Sequence, residues 1–195
     1  MSFYNLSIDI RKQKCVVVGG GRVALRKVRK LCEADAHVVV NALDYLPEFY
    51  EKPLASQISI EQSEYSKELL KGATLVFAAT SDFQLNQQVC ADAKELGILV
   101  NSVNGEEYGS FIIPATYSNS ILTLAITTDG QAPLLSKELR KYFQEKIENV
   151  STELLEEIVL LRKEMVSEDD EKEKQGLEEK LHKKIKQIIN QIERV

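Results

Sequence analysis

The stretch Lys14-Cys15-Val16-Val17-Val18-Gly19-Gly20-Gly21-Arg22-Val23-Ala24 decides how the rest of the chain is read. A short, β-rich apolar run ends in three glycines. It passes straight into Arg22–Cys32, where Val23, Ala24, Leu25, Val28 and Leu31 fall near helical spacing. The run predicts a buried parallel strand. The glycines fit the pattern GxGxxA, with Gly19, Gly21 and Ala24 at the three small positions. The first glycine permits a tight turn, the second lets backbone approach a pyrophosphate, and the small third residue lets helix and strand pack closely. Free N–H groups at the helix N-terminus then face the phosphates.

Working outward, His37–Val40 reads as a second strand and closes the βαβ unit that such a loop requires. Ile58–Ile60, Thr74–Ala79 and Ile98–Val100 read as three more strands. Asp82 is placed to cap a helix running towards Leu96, and Gly97 to stop it. Alternating strands and helices predict an α/β fold, a Rossmann domain with a parallel sheet and right-handed crossovers, over residues 1–113. The adenosine ribose of a bound dinucleotide would lie past the second strand, where Asp or Glu is usual. This chain has Asn41 there, followed by Leu43 and Asp44. An amide still hydrogen-bonds a ribose hydroxyl, and Asp44 is a second candidate. No Arg or Lys lies between Asn41 and Glu51 to receive a 2′-phosphate, so NAD is expected rather than NADP. Arg22 and Val23 are expected along the pyrophosphate, and Thr80 and Ser81 on the nicotinamide side.

The rhythm changes after Asn101. Ser110–Thr116 and Ile121–Thr128 are β-like around a turn at residues 117–120, with no helix between them. They predict a hairpin, or strands exchanged with a partner. A helix is expected from Ala132-Pro133. Beyond Glu148, Val150, Leu154, Ile158, Leu161 and Met165 form one helical stripe, and Leu177, Leu181, Ile185, Ile188 and Ile192 another. The acidic stretch 167–174 separates them. The expected division is residues 1–113, 114–146 and 147–195.

A length of 195 residues suits one full domain and an appendage. A net charge of −5 argues against a general nucleic-acid binder, which needs a basic surface. The chain has no apolar run near the ~20 residues of a membrane helix, and its first residues lack the apolar stretch of a signal peptide, so no secretory leader is expected. Its three cysteines form no CxxC, and a cytoplasmic location is expected. Two histidines make a multi-His metal site within one chain unexpected.

The segments Val16–Lys27, Val38–Leu43, Leu75–Val89, Ile98–Asn104, Ser110–Ala115 and Leu122–Arg140 occur together in one order and spacing. In these the sequence resembles the bifunctional precorrin-2 dehydrogenase/sirohydrochlorin ferrochelatase family, which also forms the N-terminal part of siroheme synthase. The resemblance covers residues 1–150. It implies a homodimer built through the Ser110–Thr128 strands, and a cleft between the nicotinamide end of the NAD site and the dimerisation segment. It implies that precorrin-2, a tetrapyrrole with many carboxylates, gives up a hydride to NAD and a proton, forming sirohydrochlorin. Bifunctional members then insert Fe²⁺ or Co²⁺. An aspartate in a VNVVD-like motif is implicated in both family activities. Here Val100-Asn101-Ser102-Val103-Asn104 puts Asn104 at that place. An amide is no general base. Three readings stay open. The dehydrogenase survives while chelation is lost; another carboxylate substitutes; or the chain is a non-catalytic NAD- or tetrapyrrole-binding protein, regulatory or a carrier. Asp129, in Thr127-Thr128-Asp129-Gly130, is the candidate substitute, although Asp-Gly is also ordinary turn chemistry. Glu106 and Glu107 are weaker ones. Thr128, Lys137 and Arg140 are candidates for gripping substrate carboxylates, against the alternative of a solvated helix face. A dehydrogenase for another small substrate is disfavoured by the Ser110–Ala115 and Thr127–Pro133 segments.

Overall fold

Alternation along the first strand sets the layers. In β1 (Lys14–Val18), Cys15 and Val17 point to one side of the sheet and Val16 and Val18 to the other. This strand is the middle of a five-stranded parallel sheet in the computed structural model, which describes residues 3–105 and 108–194. Its neighbours are β2 (His37–Asn41) and β4 (Leu75–Ala78), flanked by β3 (Ile58–Glu61) and β5 (Leu99–Ser102). The order is β3-β2-β1-β4-β5. Helix α1 (Arg22–Glu33) buries Ala24, Leu25, Val28 and Leu31 against the Cys15 side. Helix α2 (Phe83–Glu95) buries Val89, Cys90 and Ala93 against the Val16 side. Each fully buried Val contributes about 1.5–3 kcal/mol. A chain that winds one way from β1 and then returns past it leaves a crevice at the carboxyl ends of β1 and β4, where such sheets bind ligands.

The capping signals act where the sequence puts them. The Asp82 carboxylate accepts from the backbone N–H groups of Gln84 (2.8 Å) and Leu85 (3.1 Å). Gly97, at φ +70°, takes the chain out of α2.

Residues 114–195 form a second unit. Strands β6 (Ala115–Ser118) and β7 (Thr123–Ile126) pair antiparallel. The helices are α3 (Pro133–Glu148), α4 (Thr152–Ser167) and α5 (Glu171–Arg194), with α4 and α5 packed together. Three expectations need correction. The hairpin strands are shorter than Ser110–Thr116 and Ile121–Thr128, and Tyr117 and Ser118 are strand, because Asn119 makes the turn. Its side chain accepts from the N–H groups of Ile121 (3.0 Å) and Leu122 (2.7 Å). Ser110 does not belong to the hairpin at all. Its N–H donates to Val100 O at 2.7 Å and its hydroxyl accepts from Val100 N–H at 2.8 Å, so it fastens the chain to β5. The break between the last helices is only residues 168–170, since Asp170 accepts from Lys172 and Glu173 N–H and starts α5.

A half-buried cation lies on the α1 side of the sheet. Lys27 Nζ donates to Asn101 Oδ1 at 2.6 Å and stands 5.2 Å from the Phe77 ring centroid, while Asn101 Nδ2 donates to Phe111 O at 3.0 Å. Burial, and then the charge of Arg26, push the Lys27 amine down from 10.5 to about 8. Between those values the unfolded chain holds a proton that the folded chain has released, so folding stability rises with pH across that window. Denaturation of wild type and Lys27→Met in parallel is expected to show wild type gaining on the variant from pH 8 to 10.5. A constant difference would mean that Lys27 titrates normally.

Candidate functional site

The glycine loop shows what each position is for. Gly19 sits at φ +135°, and a Cβ there would come within 2.4 Å of Ala79 O. At Gly20 a Cβ would lie 2.0 Å from Asp44 O, so the middle glycine is required by the loop that follows β2. Gly21 is different. It is the N-cap of α1 at φ −91°, ψ −174°, ordinary extended backbone, and a Cβ would meet nothing within 4 Å. The fold therefore does not need glycine at 21; the space in front of it does. No side chain caps α1 and no acid occupies its first turn. The helix thus presents free N–H groups and the positive end of its dipole to an open surface. A pyrophosphate fits that place by charge and by donor chemistry.

The cleft in front of the loop has a volume of about 700 Å³. Gly19, Gly21, Asn41, Leu43, Asp44 and Thr80 are brought together along its wall, as the sequence places them. Arg22 and Val23 are exposed on the first turn of α1, outside that wall, and Ala24 is fully buried where helix meets strand. Asn41 is only 2% exposed. Its Nδ2 donates to Glu61 O and to Ser63 O, both at 3.0 Å. Its amide hydrogens are engaged in tying down the chain after β3, whereas Asp44 lies exposed at the rim. Tyr65 adds to the wall and donates to Asp92 at 2.9 Å; burial, and then that hydrogen bond, raise its phenol above the usual range.

At the other end Asn86, fully buried in α2, joins two strand ends. Its Oδ1 accepts from Thr80 N–H (3.1 Å) and from the Thr80 hydroxyl (2.9 Å). Its Nδ2 donates to Thr80 O (3.0 Å) and to Asn104 Oδ1. Thr80 and Asn104, assigned separately from sequence, are thus one network. Asn86 and Gly20 are the residues that sequence reasoning missed. The adjacent glycine run signalled Gly20, but nothing local signals Asn86.

In the second unit, Asp129 occupies a left-handed turn (φ 49°) followed by Gly130 at φ 77°, with its N–H donated to Thr127 Oγ1 at 3.0 Å. Thr128 Oγ1 accepts from Ala132 N–H (2.9 Å) and from the buried Ser136 hydroxyl (3.3 Å), so it fastens the start of α3. Lys137 is exposed and Arg140 donates to Gln144 within the same helix. That helix has 16 residues. Glu106 and Glu107 lie outside the described residues. Among the described residues there is no cluster of three metal-ligating side chains, and no helix is long and apolar enough to cross a membrane.

A doubly wound sheet with a glycine-lined crevice and an uncapped helix start defines a dinucleotide-binding protein. Residues 6–115 match the family model described as "Putative NAD(P)-binding", and the chain belongs to that family. The cofactor of this site is a nicotinamide dinucleotide. Among relatives, siroheme synthase of Chromobacterium violaceum is 38% identical over 140 residues, covering 72% of this chain and 30% of that protein. Siroheme synthase 2 of Klebsiella pneumoniae subsp. pneumoniae is 38% identical over 142 residues, 73% of this chain and 30% of its own. The chain therefore spans about a third of the length of the curated relatives it matches. The solved structure of SirC, precorrin-2 dehydrogenase, superposes with a TM-score of 0.73 at 25% identity, over 99% of this chain and 100% of that one.

Proposed function

We propose that the chain is an NAD-dependent precorrin-2 dehydrogenase of siroheme synthesis, working as a cytoplasmic homodimer and without efficient ferrochelatase activity. The observation that carries this reading is the end-to-end likeness to SirC. The oxidation takes a hydride and a proton from the tetrapyrrole and yields sirohydrochlorin. NAD, when bound, accepts the hydride, and the proton passes to water. The protein's part is positioning. The open start of α1 holds the pyrophosphate. Asp44, Glu64 and Asp82 line the cleft, with no Lys or Arg among the described lining residues, so a 2′-phosphate is repelled and NAD is preferred over NADP. Thr80 and Ser81 border the nicotinamide side.

Metal insertion must remove two pyrrole protons, and Asn104 cannot take either. That supports a chain which keeps hydride transfer and has lost chelation. The dimer reading is supported by the two-stranded β6–β7 sheet and by exposed Leu134, Leu135, Tyr142 and Phe143 on α3. The three cysteines are free, in keeping with a reducing compartment.

The test is an anaerobic assay with NAD and freshly generated precorrin-2, followed by addition of Fe²⁺ or Co²⁺. NADH and sirohydrochlorin are expected in equal amounts, with metal insertion no faster than without protein. NAD binding with no NADH formed would replace this reading with a non-catalytic binding role, the alternative that Asn104 keeps open.

A further inference from the structure

We propose that Lys27 is a positioning residue for the dehydrogenase reaction: through the Asn101 amide it fixes the chain at Phe111, two residues before the first unit ends; this rests on the function proposed above. Lys27 shares α1 with Ala24, Leu25, Val28 and Leu31, which bury against the sheet. A lysine at the margin of such a face usually turns its amine to water. This one reaches over the sheet instead, to Asn101 Oδ1 at 2.6 Å and over the Phe77 ring. Among the described residues no carboxylate pairs with it. An apolar side chain of similar length would pack there without the cost of desolvating a charge. What the amine supplies that methionine would not is its hydrogen bond to Asn101.

Asn101 passes that contact on. An ammonium can only donate, so Oδ1 faces Lys27; Phe111 O can only accept, so Nδ2 faces it at 3.0 Å. Both ends of this buried amide are thereby assigned. Phe111 belongs to a segment held on β5 outside the sheet's own ladder. Ser110 N–H donates to Val100 O, the Ser110 hydroxyl accepts from Val100 N–H, and the Phe111 ring meets Phe77 edge-on at 5.5 Å. A Cβ on Gly109 would stand 3.1 Å from Val100 O, so the segment lies close against the strand. Those contacts come from β4 and β5; Lys27 adds α1. One helix thus presents its start to the cofactor and, through Lys27, holds the end of the first unit. Whatever residues 114–195 bring to the reaction is carried on this joint, and reacting atoms displaced by about 1 Å lose about 100-fold in rate.

Three variants separate this role from a merely structural one. Lys27→Met keeps the stem and removes the donor. Lys27→Arg restores a donor. Asn101→Asp keeps an acceptor for Lys27, now charged, but takes the donor away from Phe111 O. Lys27→Met and Asn101→Asp are each expected to lower kcat for precorrin-2 oxidation about tenfold, with the dissociation constant of NAD within about twofold of wild type, and Lys27→Arg to recover most of the loss. Hydrogen exchange at the amides of residues 110–113 is expected to be about tenfold faster in Lys27→Met and in Asn101→Asp than in wild type, as one hydrogen bond of the chain Lys27–Asn101–Phe111 is lost. A purely structural role predicts that Asn101→Asp, with an ion pair to Lys27, matches wild type in kcat. That outcome would overturn the inference, and so would wild-type kcat in Lys27→Met or an arginine variant no more active than the methionine one. An equal loss in NAD affinity would overturn it too, because the effect would then lie in α1 itself. Asn101→Asp leaves the amine a partner, so it decides the matter should Lys27→Met fail to fold. The exchange measurement needs no substrate. If wild type forms no NADH, the proposed function falls by itself, and amides of residues 110–113 that exchange in both variants as in wild type would overturn the link.

Discussion

Gly21→Val is expected to weaken NAD binding about 100-fold or more, equivalent to roughly 2.7 kcal/mol, while leaving the fold intact. The reason lies in the contrast among three adjacent glycines. At Gly21 the backbone is extended and a Cβ meets nothing within 4 Å, so valine is tolerated by the protein. The added methyls fill the space in which backbone N–H groups of α1 must approach a pyrophosphate. Loss of glycine as N-cap costs at most about 1 kcal/mol of helix stability. Gly20→Ala is the counterpart. Its Cβ would sit 2.0 Å from Asp44 O, so the loop after β2 must move. That change is expected to lower stability by about 1–3 kcal/mol or more, the range of overpacking in a close-packed interior. Calorimetric titration with NAD and thermal melting of both variants separate the two effects. If Gly21→Val bound NAD like wild type, the open space before α1 would not be the phosphate site.

The second large effect is expected at Asn86. Asn86→Leu keeps the volume but removes four hydrogen bonds at once. Thr80 N–H and Thr80 O lose their partner inside the protein, and each such loss costs about 1–3 kcal/mol. A total near 3 kcal/mol corresponds to a melting temperature roughly 6–12 °C lower for a chain of this size. Catalysis should suffer more. Thr80 and Asn104 would no longer be held in common register at the ends of β4 and β5, and kcat for precorrin-2 oxidation is expected to drop about 100-fold, the scale of a misplacement of about 1 Å. NAD affinity should change far less, because the glycine loop at the start of α1 makes none of these hydrogen bonds. Equal losses in kcat and in NAD affinity would mean that Asn86 serves only the fold.

Much of this protein is legible locally. The GxGxxA loop, the alternating valines of β1, the stripe of α1, Asp82 as cap and Gly97 as stop each depend on residues within one strand or one helical turn. Their physics, side-chain periodicity and backbone hydrogen-bond termination, is short-range. For the same reason the sequence by itself determined the fold class, the position of the glycine loop and the family it resembles.

What only the tertiary structure decided are pairings between distant residues. Asn86 meets Asn104 18 positions on, and Lys27 meets Asn101 74 positions on. Asn41 turns its amide to Ser63 rather than leaving it free at the cleft. Ser110 joins β5 instead of the hairpin. A buried polar group must find a partner wherever the packed chain supplies one, and the sequence does not say where that is. Asn104 shows the consequence most directly. That it is an amide is written in the sequence; that its oxygen faces Asn86 follows only from the Thr80 backbone, through the Asn86 amide held between them.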